Sequence, residues 1–359
     1  MMLNLVMTYY GGSEMEGEPF EPVKEKIDTY GAETPVTGKT QMTAAWSADE
    51  GEHSAATAQV ASMPSGQVFE QIYQPWRGTL NPRWMRNWAI LRHHVLGVFK
   101  SGHRPWGVPT KLFIFFVLIA SSTDVALALL FGLLGDSELY SLWGVNRDNM
   151  YGHVMGFFPR NILYYPVVAA LLVGGMISED RANGTSALYF SRPISRFDYA
   201  SMKFLSIAII LFLIINGTLA LYYFTDILVM GKGWAWLIDT FPMFLSTFIC
   251  GALLAFTYTS IGLSLSSVSR GRFFPAIGLI AILMGTRTMA FIIDSLFDKS
   301  ILYVISPYDA VAHVCQAIIG TEMTYDHPWL WSLASVVIMN GLALYLLAGR
   351  VSSLEVTRE

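Results

Sequence analysis

The side chains most able to do chemistry are scattered along the chain. Seven histidines (His53, His93, His94, His103, His153, His313 and His327) stand at no metal-ligand spacing within any helix. His93 and His94 are adjacent, and neighbouring side chains on a helix point about 100° apart. The two cysteines, Cys250 and Cys315, are far apart in sequence and read as small apolar fillers. No HExxH, GxSxG or CxxC occurs. One stretch imitates a phosphate loop: GAETPVTGKT, residues 31–40, ends in Gly-Lys-Thr. The pattern needs its first glycine where Glu33 stands, and an acid there repels phosphate. No apolar strand precedes it and no helical pattern follows. The chain therefore reads as no enzyme, with no metal, cofactor or ATP site of its own. Any ATP-driven step must be supplied by another subunit.

Ionisable groups inside apolar segments are a different matter. A charge in hydrocarbon is costly, so it marks function by default. Asp124 lies 13 residues beyond Lys111, and Arg287 lies 15 beyond Arg272. At 1.5 Å per residue both reach about 20 Å from the same membrane edge. Equal depth and opposite charge point to an ion pair; the alternatives are separate exposure to a wet cavity, or an Arg287 that snorkels outward. Asn216 and Asn340 are milder candidates, for interhelical hydrogen bonds or for contacts along a pathway.

The elements that position these residues follow from composition. The 359 residues are 53% hydrophobic and 14% charged, where soluble domains carry about 25% charge. With 22 Phe, 17 Tyr and 10 Trp, the chain reads as an all-α integral membrane protein. MMLNLVMTYY at the start is too short and lacks a basic flank, so the first true span acts as its own insertion signal. Residues 1–70 form an acidic segment: up to Gly66 it holds ten acids against Lys24, Lys26 and Lys39. It buries too little to offset ordering entropy and is expected to be a disordered cytoplasmic tail.

After Glu70 the sign flips. Arg77, Arg83, Arg86, Arg92, Lys100, Arg104 and Lys111 accumulate before the next acid, Asp124. Within this 75–110 region Asn81-Pro82 starts a helix. Trp84, Trp88, Leu91, Val95 and Phe99 then recur on one face, which is the pattern of a helix lying in the membrane interface. The region 111–350 holds six spans, at about 112–134, 161–177, 204–230, 240–266, 273–293 and 329–349, each near the required length of about 20 residues. Pro166 interrupts the second. If the N-terminus is cytoplasmic, inner segments carry fifteen basic residues and outer loops four. The positive-inside rule therefore places both termini, including the tail 351–359, in the cytoplasm; the expected location is the plasma (inner) membrane. The outer loop 294–328 is acidic, and ILYVISPYDAVAHVCQAII within it predicts short helices lying against the membrane face, separated at Pro307. Ser260, Gly262, Ser264 and Ser266 form a small-residue stripe for close packing, either within one chain or across a dimer.

The stretch between the second and third spans, EDRANGTSALYFSRPISR at 179–196, is unusually punctuated. Asn183-Gly184 stops one helix. Ser186–Ser191 is long enough for a short helix carrying Leu188, Tyr189 and Phe190. Arg192-Pro193 ends it, and Ser195-Arg-Phe-Asp198 fits a capping box that starts the next. A short element clamped between two long rigid helices suits a docking surface: a partner that pushes on it moves both spans.

Here a resemblance enters. Glu179, Gly184-Thr185, Ser191-Arg192-Pro193, Ser195-Arg196 and Lys203 resemble the E…GT…L…SRPISR…K signature of permease subunits of ABC-2-type transporters. Ser306-Pro307-Tyr308 is similar to their element between spans five and six, and the likeness runs over about 75–350. The resemblance implies transport, usually export, by two such chains as a homo- or heterodimer in membrane lipid. It implies a cytoplasmic ABC ATP-binding subunit, holding ATP and magnesium, docked under 185–196. By that likeness Leu188, Tyr189 and Phe190 plug a groove in the ATPase, and Glu179, Arg192 and Arg196 orient it. No nucleic acid is expected as a partner. The alternative is an ATP-independent secondary transporter or channel, which predicts internal repeats with matching broken helices; no repeat relates spans one to three with four to six.

Overall fold

The computed structural model describes residues 82–99, 108–135, 144–151, 164–190, 194–229, 231–269, 271 and 273–353. The acidic segment 1–70 and the tail beyond 353 lie outside them. Among the described residues all regular structure is helical. Five helices are long and apolar enough to cross a membrane: Thr110–Leu134, Arg196–Leu228, Trp234–Val268, Phe274–Phe297 and Trp329–Ser353.

In chain order, α1 is Arg83–Phe99, α2 Val108–Leu134, α3 Arg147–Tyr151, α4 Tyr164–Val173, α5 Ser178–Ala182 and α6 Thr185–Phe190. Then come α7 Arg196–Val229, α8 Trp234–Val268 and α9 Phe274–Phe297. A 3-10 turn over Ser300–Ile305, α10 Pro307–Ile319 and α11 Trp329–Ser353 complete the bundle.

The second expected span differs from the sequence reading. Its described part is helical over Tyr164–Val173, α4, and then breaks into a turn at 174–177 before α5. Residues 152–163, which hold the start of the expected span, lie outside the description. Pro166 causes no interruption among the described residues: the helix runs on past it to Val173. The break comes at Gly174-Gly175, where Gly175 adopts φ +83°. Such backbone survives at membrane depth only where protein surrounds it. Here it does: α4 packs against α2, α7, α8 and α9. Tyr165, Val168, Ala169, Leu172 and Val173 are fully buried, which explains why α4 is apolar all round rather than on one face.

Close packing of α8 on α4 uses the small-residue stripe within this chain. A Cβ on Gly262 would stand 2.6 Å from Val173 Cγ2. Ser266 goes further: its Oγ accepts hydrogen bonds from the N–H groups of Ile177, at 3.0 Å, and Ser178, at 3.3 Å. The broken backbone is thus satisfied by a side chain of a neighbouring helix.

Two other expectations shift. On α1, Ile90, Leu91 and His94 face inward, and the helix packs on α7. Trp84 and Trp88 stay exposed, so the aromatic and aliphatic parts of its apolar face point different ways. Pro307 does separate two short elements, with Ser306 as N-cap accepting from Asp309 N–H. Yet α10 does not lie on a surface. Its residues 307–316 are all buried, against α8, α9 and α11.

Candidate functional site

The hairpin between α4 and α7 is organised by Lys203, the last residue of the signature stretch. Its side chain is 2% exposed. Nζ lies 2.9 Å from Asp180 Oδ2 and donates to the carbonyl of Met176, at 3.2 Å, inside the break. The aromatic rings of Tyr189 and Tyr199 stand beside it, their centroids 5.7 and 5.6 Å away. Asp180 is the matching hub: Tyr199 OH donates to Oδ2 at 2.6 Å and Thr185 Oγ1 donates to Oδ1 at 3.1 Å. One buried ion pair therefore ties together α5, α6, α7 and the interrupted end of α4. A buried pair of charges is stable only when its remaining hydrogen-bonding capacity is filled, and these partners fill it.

A second clip lies beside it. Asp198, buried on α7, receives both arms of Arg83, Nε to Oδ2 and Nη2 to Oδ1, each at 2.8 Å, and Asn87 Nδ2 at 3.0 Å. Half of the expected capping box forms: Ser195 Oγ accepts from Asp198 N–H at 3.0 Å. The Asp198 carboxylate does not return to the helix start. The guanidinium of α1 takes it instead, because a bidentate charge-assisted pair outcompetes a single bond to a backbone N–H.

The anticipated hairpin residues fall as follows. Gly184 takes φ +67°, the left-handed stop expected of it. Thr185 begins α6 and is held by Asp180. Glu179 is half-buried on α5, and Arg196 is exposed at the start of α7. Tyr189 and Phe190 are half-buried, with ring centroids 5.2 and 5.6 Å from Tyr199, so they build the hairpin's own packing. The side chain of Leu188, and Arg192 and Pro193, lie outside the described residues. Sequence reasoning missed Asp180, Tyr199 and Asn87 as site residues and did not foresee that Arg83 pairs with Asp198. The one available signal was Tyr199, which stands one helical turn from Lys203.

The intramembrane candidates also resolve. The Asp124 side chain is outside the description. Arg287 meets Asp309, at 4.0 Å from Nε to Oδ1, and its guanidinium lies 4.3 Å from the Tyr308 ring centroid. Asn340 makes interhelical bonds to Ser260 and, at 3.1 Å, to Thr257. The amide of Asn216 is pressed onto Gly251, where a Cβ would stand 2.4 Å from its Oδ1. Cys250 and Cys315, distant in sequence, meet: Cys250 Sγ lies 3.8 Å from the Cys315 carbonyl.

At the other end of the bundle the loop 320–328 is strapped down. Tyr325 OH donates to Asp309 Oδ1 at 2.8 Å, and Gln316 exchanges bonds with Thr324. His313 Nδ1 and His327 Nε2 are 3.1 Å apart, and each lies within 3.0 Å of Ser332 Oγ. Burial, and then the neighbouring His327, hold His313 down at about 4; burial also lowers His327, with Asp326 opposing. Burial pushes the Asp309 carboxyl above its ordinary range, against the hydrogen bonds of Ser306 and Tyr325 and the charge of Arg287.

A family model described as ABC-2 family transporter protein matches residues 34–350. The chain belongs to the ABC-2 transporter family. A search of curated proteins returns no match. The match begins at residue 34, so the family region reaches into the acidic segment and starts earlier than the motif likeness at 75–350. ABC-2 chains of this kind are membrane transport components that work with an ABC ATP-binding subunit. The five long apolar helices accord with a multi-pass ABC-2 membrane protein.

Proposed function

We propose that this ABC-2 chain is the permease subunit of an exporter, paired with a second permease chain and driven by ATP hydrolysis in a separate subunit docked on the α5–α6 hairpin. The observation that carries the reading is the hairpin itself. A six-residue helix is bounded by a left-handed glycine and a serine-capped restart, and is fastened to α7 by Tyr199 and Lys203. An isolated helix of that length does not hold its shape in water; the anchoring gives a partner something rigid to push. Six crossings with cytoplasmic termini in the plasma membrane complete the reading. The chain would descend through 152–182, and α7, beginning at the same side as α2, would rise again.

The experiment is co-purification with an ABC ATP-binding subunit. Asn183 and Arg196 are exposed, and Phe197 is 75% exposed, beside the hairpin. The double change Arg196→Glu, Phe197→Ala should abolish co-purification and leave expression and thermal stability of the permease unchanged. Retained association at wild-type yield would remove the docking assignment. These surface residues are better probes than Tyr189 and Phe190, whose loss also disturbs internal packing.

A further inference from the structure

We propose that Lys203 is a positioning residue of the transport cycle: it carries displacement of α6 into the break at 174–177, which acts as the hinge of the second crossing. This rests on the reading that α6 docks the ATP-binding subunit. Three observations carry it. First, the helical ladder at the break is interrupted and partly replaced by exchangeable side-chain bonds: Met176 N–H reaches back only to Val173, Ser266 Oγ receives the N–H groups of Ile177 and Ser178, and Lys203 Nζ reaches the carbonyl of Met176. Gly175, with φ +83°, supplies the conformational freedom. Hinges absorb motion at a few such element-terminal positions.

Second, the same ammonium holds Asp180, which in turn holds Thr185 at the first position of α6 and Tyr199 on α7. A load on α6 has a direct polar path to the break through two side chains. Third, the arrangement exceeds what stability needs. Replacing a buried ion pair by apolar residues of similar volume is often neutral or stabilising, and a single carbonyl is satisfied by a neutral donor. A cation is required only if one group must hold the α5 carboxylate and the break's carbonyl together.

The test uses the complex of full-length permease with its ATP-binding subunit, reconstituted in lipid. Lys203→Met alone leaves the half-buried Asp180 without its counter-charge, so the informative variant is Lys203→Met with Asp180→Leu, which removes both charges together. Co-purification should stay within about two-fold of wild type while permease-stimulated ATP hydrolysis falls about ten-fold or more. Hydrogen exchange with and without a non-hydrolysable ATP analogue supplies the readout that a merely structural role would not move. In the wild-type complex, amides at 183–190 and at 174–178 should both change protection on nucleotide binding. In the double variant only the first window should respond.

The proposal is overturned if the double variant keeps its stimulation. It is also overturned if the wild-type complex responds at 183–190 but not at 174–178, an observation that requires no variant to fold. Failure of the docking reading looks different: no association, and a nucleotide response in neither window.

Discussion

The two polar clusters at opposite ends of this bundle solve the same problem with different chemistry. Beside the end of α8, full charges are used: Lys203 and Asp180 are neutralised by each other and saturated by Tyr199, Thr185 and a backbone carbonyl. Beside the start of α11, neutral imidazoles are used: His313 and His327 face each other across 3.1 Å with Ser332 between them. A saturated ion pair is strong against small perturbations and fails badly when one member is removed. An imidazole pair holds a loop only while both rings are uncharged. The first suits a mechanical joint and the second a closure that responds to its surroundings.

Removing one charge at the first end should produce the largest effect. Lys203→Met takes the cation from the half-buried Asp180, to which Tyr199 and Thr185 still donate, and should cost about 1.5–3 kcal/mol, read as a fall in thermal stability in detergent. Adding Asp180→Leu should recover most of it. Recovery by neither member of an apolar pair would mean that the site tolerates no uncharged filling, and the comparison would need redrawing.

Next in size is the packing that surrounds the break. The Cβ of Gly262→Ala would stand 2.6 Å from Val173 Cγ2 and 3.2 Å from Leu279 Cδ2, so α8 and α4 must part or a side chain must turn. Overpacking of this kind costs about 1–3 kcal/mol. Val173→Ala in the same chain should relieve it, and a thermal-stability cycle of the four proteins measures the coupling. If the two changes are simply additive, the contact does not govern how α4 sits.

How much of this was legible follows from what each residue signals. The five long helices could be read because unbroken apolar stretches have no soluble explanation. The hairpin's punctuation could be read because Gly184 and Ser195 act through backbone chemistry local to themselves. The role of Lys203 at the end of the signature could not, because a lysine seven residues into a helix that begins with Arg196 also looks like a flank counted by the positive-inside rule. Only its neighbours show that it points inward. The break at Gly174-Gly175 was hidden for a related reason: glycine is common in membrane helices, and an all-apolar segment gives no period from which to see a helix end. The burial of α10 was illegible because an amphipathic pattern fits an interface and a bundle interior equally well. Its polar residues, Asp309, His313 and Gln316, find partners in the loop that follows rather than in water.

A smaller effect separates the two ends by pH. The folded state holds His313 at about 4 and His327 below its ordinary value, whereas a free imidazole titrates near about 6.5. Opening of the loop 320–328 therefore takes up protons. The closed form keeps its full stability above about pH 6.5 and loses it progressively as pH falls toward 4. The charged and titratable groups around the pair are Asp326, Tyr325, Asp309 and Arg287. Hydrogen-exchange protection over 320–328, taken relative to the intrinsic rate at each pH, should fall between pH 7.5 and 5 while that of 174–190 does not follow. His313→Asn should flatten that dependence. An equal loss of protection at both ends would erase the contrast drawn between them.

The smallest effect is expected at the clip between α1 and α7. Arg83 reaches Asp198 from an exposed position, its side chain 64% exposed, and pairs so open to water contribute little because solvent screens them. Asp198, in contrast, is buried and is also bonded by Asn87. The two partners should therefore respond unequally. Arg83→Ala should leave thermal stability nearly unchanged, since water replaces the guanidinium at an open edge. Asp198→Ala should do more, because it removes the group on which Arg83 and Asn87 both converge and frees α1 from the start of α7. Limited proteolysis within 83–99 reads the difference directly. Equal sensitivity of the two variants would show that the carboxylate is wetter than its burial implies, and that α1 is held by Ile90, Leu91 and His94 rather than by charge.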